Sequence, residues 1–211
     1  MKKIAIYGAG GFGREVLTLI NAMNKVSKEY EFIGFFDDNA NAKVANYKVL
    51  GGKDQLLHFN EQLGIVFAIG NPKIKREIVN YVAPNKKLTY PILIHPQVII
   101  GEESSVDIGE GTIIAAGNII TCDIKIGKHV ILNLSCTIGH DTVIENYASF
   151  MPTVNISGEV IIKEGVYVGT GAKIINLVTI GENSIIGAGA VVAKDIPANV
   201  TAVGVPAKAI K

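Results

Sequence analysis

Cysteine is scarce in this chain, and the scarcity excludes several classes of protein. Cys122 and Cys136 are too few for a disulfide framework, and they lack the spacing of a metal-ligand pair. Excess charge is also missing: a formal net charge of +1 gives no electrostatic case for nucleic acid or an anionic membrane as partner. No apolar run approaches the length of a membrane span. The basic start Met1-Lys2-Lys3 leads into apolar residues as a signal peptide would, but the cluster Gly8–Gly13 interrupts that stretch. A soluble, cytoplasmic protein is therefore expected. What the chain does have is 211 residues that are 48% hydrophobic, enough to bury one large core or two modest ones.

From Ile108 to Val192 every sixth residue is large and apolar, fifteen times in succession, beginning Ile108, Ile114, Ile120, Ile126, Leu132 and Ile138. Four places after most anchors stands a small or branched residue, such as Thr112, Val130, Cys136, Ala148 and Ala172, and glycine often follows the anchor directly. A period of six fits neither the 3.6-residue helix nor the two-residue alternation of a simple strand. It fits a parallel β-helix, in which each hexad supplies a short strand and a corner and three hexads close one coil. Fifteen hexads make about five coils. Cys136 falls on an inward position and reads as packing.

The first ninety-odd residues follow a different pattern. Short apolar runs at Lys3–Tyr7, Phe32–Phe36 and Ile65–Ile69 alternate with helical segments, one carrying Val16, Leu19, Ile20 and Met23 on a single face and one opened by Pro72. A last strand is expected over Thr89–Ile94, with His95-Pro96 at the border. The pattern predicts a Rossmann-like α/β domain over 1–95 with a small doubly wound parallel sheet, followed by a β-helix over 96–211. In such sheets ligands sit beyond the carboxyl ends of the strands, here Gly8–Gly13, Asp37-Asp38 and Gly70-Asn71. Gly8-x-Gly10-x-x-Gly13 lets backbone amides approach a phosphate, and an aspartate after the second strand can accept from a ribose or base. The same residues also suit a tight turn with surface acids. So short an α/β segment followed by a β-helix is a poor match to a nicotinamide enzyme; a nucleotide-linked substrate fits better.

Within the repeat, Ile138-Gly139-His140-Asp141 places a histidine at a corner with a carboxylate beside it. Histidine is the natural general base near neutral pH, and an adjacent carboxylate orients it. An exposed corner histidine can equally be solvent-facing decoration. Asn133, one hexad earlier, can supply an amide contact. His129 has no acidic neighbour within two residues and reads as surface, while His58 and His95 lie outside the repeat. The eighteen-residue coil period stacks Asn133, Met151, Gly169 and Gly187 in one column, where the glycines leave room for a slender ligand or for tight subunit packing. The zinc-dependent carbonic anhydrases that use a β-helix need three histidines, and the repeats offer only His129 and His140.

The hexads, the corner Ile138-Gly139-His140-Asp141 and the tail Val203-Gly204-Val205-Pro206-Ala207-Lys208 resemble the hexapeptide-repeat acyltransferases. Combined with Gly8-Ala9-Gly10-Gly11 and Phe36-Asp37-Asp38, they resemble the branch holding sialic acid O-acetyltransferases and the N-acetyltransferases of bacillosamine and perosamine nucleotide sugars. The resemblance implies a left-handed β-helix and a homotrimer with acetyl-CoA in grooves between subunits. It implies His140 as catalytic base, Asp141 as its tuning acid and Asn133 as a supporting amide. It places the substrate at Gly10, Gly11, Phe12, Asp37, Asp38, Gly70 and Asn71, and acetyl-CoA along Ser149, Gly169, Thr170, Gly187 and Ala188, with no metal. Phe12 and Ser149 depart from the branch, standing where its UDP-amino-sugar members carry histidines that contact the sugar amine and the acetyl group. Phe12 can be an apolar wall for another sugar or a core residue. The alternatives are an acetyltransferase for a small molecule such as an amino acid and a non-catalytic nucleotide-binding β-helix protein.

Overall fold

A computed structural model describes residues 1–39, 41–42, 44 and 46–210. The chain opens with β1 (Lys2–Tyr7), α1 (Gly11–Val26), β2 (Tyr30–Phe36), α2 (Lys53–Leu57), β3 (Leu63–Phe67), α3 (Pro72–Val82) and β4 (Leu88–Thr89). The four strands form a parallel sheet in the order β2-β1-β3-β4. Ile4, Ala5, Ile6 and Tyr7 are all buried, as a central parallel strand requires when both faces of its sheet are covered. α1 buries Val16, Leu19 and Ile20 against one face, the side its apolar spacing predicts. It can approach β1 only because residue 13 is glycine: a Cβ there would lie 1.9 Å from the Gly8 carbonyl oxygen. The order places β2 and β3 on opposite sides of β1, so the chain reverses direction across the sheet at the carboxyl end of β1.

The strand expected over Thr89–Ile94 is two strands. β4 completes the N-terminal sheet, whereas β5 (Leu93–Ile94) pairs with Ile113–Ile114 and is the first rung of the solenoid. Pro91 lies between them and offers no N–H to a ladder, so the chain leaves one sheet and joins the other there.

From β5 onward the chain is a three-walled parallel β-solenoid. One wall runs through Ile113–Ile114, Ile131–Leu132, Ser149–Phe150, Tyr167–Val168 and Ile185–Ile186; the second spans Ile99–Ile100 to Val191–Val192, and the third Val106–Ile108 to Thr179–Ile180. Partners on neighbouring rungs are eighteen residues apart, as in Ile131 with Ser149 and Ser149 with Tyr167. The second wall has six strands, one coil more than the fifteen hexads count. The reason is a frame break: a 3₁₀ turn over Glu103–Ser105 lengthens the step from Ile100 to Ile108 to eight residues and hides the first coil from a strict six-residue count.

The inward anchors, among them Ile114, Ile120, Leu132, Phe150 and Ile162, are essentially inaccessible, and the small residues four places on fill the space between them. Where that position carries a hydroxyl, the hydroxyl is satisfied internally: Thr112 Oγ1 donates to the Gly127 carbonyl at 2.9 Å and Ser184 Oγ to that of Pro197 at 2.6 Å. Each corner from Gly111 to Gly189 places one residue in the left-handed region, often glycine but also His129, Asp141, Tyr147 and Asn183. The glycines of the column from Asn133 to Gly187 do not leave space. A Cβ at Gly169 would stand 2.6 Å from the Ala188 nitrogen, and one at Gly187 2.7 Å from Val203 Cγ1, so glycine here admits the next coil rather than a ligand.

Candidate active site

The glycine turn after β1 is built from two kinds of glycine. Gly8 (φ 109°) and Gly13 are needed for packing, whereas a Cβ at Gly10 would meet nothing within 4 Å and one at Gly11 only the tip of Arg14. The start of α1 has no side-chain cap, so its first amides face an open surface. Asp37 and Asp38 brace this edge. Asp37 Oδ2 accepts from the Ala9 amide and Oδ1 from that of Asn39, both at 2.8 Å. Asp38 Oδ1 accepts from the Lys53 amide at the start of α2 (2.8 Å), and Oδ2 from the Lys53 ammonium (3.2 Å). Burial by itself would raise the Asp38 carboxyl, but the Lys53 amide, the adjacent Tyr7 hydroxyl and the Lys53 ammonium outweigh it and hold the group below its usual range.

Beyond β3, Asn71 caps α3 by accepting from the amides of Lys73 (3.0 Å) and Ile74 (3.2 Å). Asn71→Ala is expected to cost about 1 kcal/mol, read as a lower midpoint in thermal denaturation. Gly70 and Asn71 line a cavity of about 770 Å³ whose far side is Met151, Tyr167 and Ile185 of the solenoid, with Lys73 and Arg76 at its rim. A second crevice of about 170 Å³ lies between α1 and the solenoid, where Phe12 faces Ile113, Ala115 and Leu134. Phe12 also packs against the α1–β1 core, the second of the two roles its sequence position suggests.

The seam between the two parts of the chain holds residues that the sequence misplaces. His129 is not at the surface: it is 3% exposed, stacked on Tyr147 at 5.5 Å, with the edges of Phe67 and Tyr90 against it. These aromatics come from three separate segments, which the local sequence around His129 does not show. Its Nδ1 has no partner among the described residues, and burial, reinforced by the nearby Lys75 ammonium, lowers its pKa to about 4. Lys75 is fully buried, and its Nζ donates to Ser149 Oγ at 2.9 Å; burial holds the ammonium well below its ordinary range. Ser149 is itself inaccessible, so in this chain it lines no open groove but anchors α3. Lys75 was legible in principle: it falls on the same helical face as Ile78, Val79 and Val82.

His140 stands on an outer corner, half-exposed, with Nδ1 2.8 Å from Asp141 Oδ2. Asp141 reaches it because its own backbone takes the left-handed corner conformation (φ 57°), tied by its amide to the Cys122 carbonyl on the coil before. With Nδ1–H donating to Asp141 Oδ2, the ring presents its lone pair at Nε2, which has no hydrogen-bond partner among the described residues. Asn133 is buried, and its Oδ1 accepts from the Leu134 amide at 2.7 Å. It does not meet His140 within the chain. Asn133, Gly169, Thr170, Gly187 and Ala188 follow the first wall, whereas His140 follows the second. One six-residue wall separates the two edges, roughly 20 Å of chain at about 3.3 Å per residue. Thr170 and Ala188 are exposed on successive coils of the Asn133 edge. No cluster of three or more His, Cys, Asp or Glu capable of holding a metal occurs among the described residues.

Residues 3–82 match the PglD N-terminal domain family. Across the whole chain the sequence is 32% identical to the GDP-perosamine N-acetyltransferase of Escherichia coli O157:H7, an alignment of 220 residues that spans 97% of that protein. The chain belongs to this acetyltransferase family. Solved structures agree with the membership. The acetyltransferase superposes on PerB from Caulobacter crescentus, determined with CoA and GDP-perosamine, at a TM-score of 0.90 and 30% identity over 100% of this chain and 98% of that one. It matches the acetyltransferase domain of PglB from Neisseria gonorrhoeae FA1090, determined with acetyl coenzyme A, at 0.89 and 32% over 99% of each chain. Both relatives share the two-part architecture of this acetyltransferase over its full length.

Proposed function

We propose that this acetyltransferase moves the acetyl group of acetyl-CoA to the amine of a nucleotide-linked amino sugar, by direct transfer with His140 as general base. The observation that carries the reading is the His140–Asp141 pair, with Nε2 unengaged on an outer corner, in a chain related over its full length to N-acetyltransferases. The open amides of Gly10 and Gly11 suit a pyrophosphate, and the edge formed by Asp37, Asp38, Gly70 and Asn71 suits the nucleoside.

In the step proposed, the neutral amine attacks the thioester carbonyl while Nε2 takes its proton. The tetrahedral intermediate collapses with loss of the CoA thiolate, which takes that proton back as thiol. A backbone or amide donor at the developing oxyanion would lower the barrier, and Asn133 is the candidate because its oxygen is already engaged and its amide hydrogens remain to donate. Since Asn133 and His140 occupy different edges, they serve one acetyl group only if two copies pack edge to edge. A homotrimer with three such clefts, each taking acetyl-CoA along Thr170 and Ala188, satisfies that need. The decisive experiment is a thiol-release assay with acetyl-CoA against GDP-perosamine, UDP-linked amino sugars, sialic acid and serine. Release with a nucleotide amino sugar, and a trimer mass in light scattering, are expected; release with serine or sialic acid alone would overturn the reading.

A further inference from the structure

Gly158 lies eighteen residues after His140, on the next coil at the same corner. The position it occupies, two residues past the apolar anchor, recurs fifteen times between Glu110 and Lys194, and Gly158 is the only glycine among them. In its own column the neighbours are Cys122, His140, Asn176 and Lys194, all with side chains. Its backbone is not in the left-handed region, so the corner does not require glycine. The ladder does not require it either, since the same position elsewhere accepts proline, threonine and glutamate. What excludes a side chain is the imidazole. A Cβ at residue 158 would lie 2.5 Å from His140 Nε2, 2.6 Å from Cε1 and 2.9 Å from Cδ2. Gly158 is accordingly buried, whereas Leu134, Thr170, Asn176 and Ala188 at equivalent corners are exposed.

We infer that Gly158 is a positioning residue for the His140 ring: the missing side chain is the recess in which the ring lies. Two contacts then fix the imidazole. Asp141 holds Nδ1 from the side, and the bare Cα of Gly158 supports the Nε2 edge from beneath. A methyl group there would push the ring outward by about 1 Å to restore ordinary contact, since carbon atoms pack at about 3.5 Å. That shift is large enough to loosen the Asp141 bond and to misdirect the Nε2 lone pair, and misplacement of this size is costly to a reaction that depends on alignment. The fold would absorb it, because the atoms displaced are the free end of an exposed side chain.

The inference rests on His140 acting as base only in its kinetic part, and the test separates the two. Gly158→Ala and the control Asn176→Ala are compared with the parent protein by thermal denaturation, by the downfield imidazole Nδ1 proton resonance, and by thiol release from acetyl-CoA with GDP-perosamine as acceptor. For Gly158→Ala the expected result is an unchanged melting midpoint, loss or upfield movement of the Nδ1 proton signal, and a fall in kcat of at least tenfold with little change in KM for acetyl-CoA. Asn176→Ala should match the parent in all three. An Nδ1 signal unmoved in Gly158→Ala would overturn the positioning role, whatever the kinetics. A moved signal with unchanged turnover would leave the positioning role standing and refute His140 as the base.

Discussion

Replacing His140 with alanine is expected to lower turnover by about 10²- to 10⁴-fold, the usual worth of a positioned general base. Binding of acetyl-CoA, measured by titration calorimetry, should survive, because the residues assigned to it lie on the other edge of the prism. The Nδ1–Asp141 contact makes the prediction sharper. Asp141→Asn would keep the shape of the pair but remove the charge that stabilises the protonated ring, so it should lose less than His140→Ala. Unchanged turnover in His140→Ala would remove the chemical reading and leave the architecture intact.

The second large effect is on stability and follows from the seam between the two parts of the chain. Burial lowers the His129 pKa from an ordinary value of 6.5 to about 4. Above pH 6.5 the ring is neutral in both folded and unfolded states, so it costs nothing through protonation. As the pH falls from 6.5 to 4 the unfolded chain takes up a proton that the folded chain refuses, and stability is lost. A difference of this size corresponds to about 3 kcal/mol at the acid end of the window. His129→Phe should abolish that loss, read as a flatter denaturant midpoint between pH 7 and 4. The site tolerates the change because Tyr147 occupies the same left-handed corner one coil on, and the surrounding rings are aromatic already. Lys75 acts in the same direction at higher pH: its depressed ammonium means stability is gained as the pH rises toward the ordinary lysine range. If the acid loss persists in His129→Phe, another group is responsible.

The contrast between His129 and His140 shows what a sequence of this kind discloses. The solenoid is legible because its rule is local: an inward residue every sixth place, and Phe150 or Ile162 need no distant partner to be recognised. His140 is legible for the same reason, since the corner and the carboxylate that orients it are adjacent in the chain. His129 obeys the same repeat and its local sequence predicts exposure, because what covers it, Phe67 and Tyr90, is brought there by docking of the α/β part. The family resemblance likewise places Ser149 on an open groove, and the residue that closes over it is Lys75, seventy-four positions earlier. The sequence offers Asp37 and Asp38 as ligand groups or as acids of a tight turn, and only the fold shows that their oxygens brace the glycine turn and the start of α2. Local periodicity thus determined the prism, and long-range docking determined which of its outward positions remain open.

The strict spacing also makes the solenoid a kind of ruler. Excising eighteen residues would remove one storey, about 4.8 Å of height, and return every later side chain to its own face. Excising six would leave the interior equally well filled yet turn everything downstream by a third of a revolution, carrying Thr170 and Ala188 away from the side they share with Asn133. A protein built this way can change the length of its groove in whole storeys and in no smaller step.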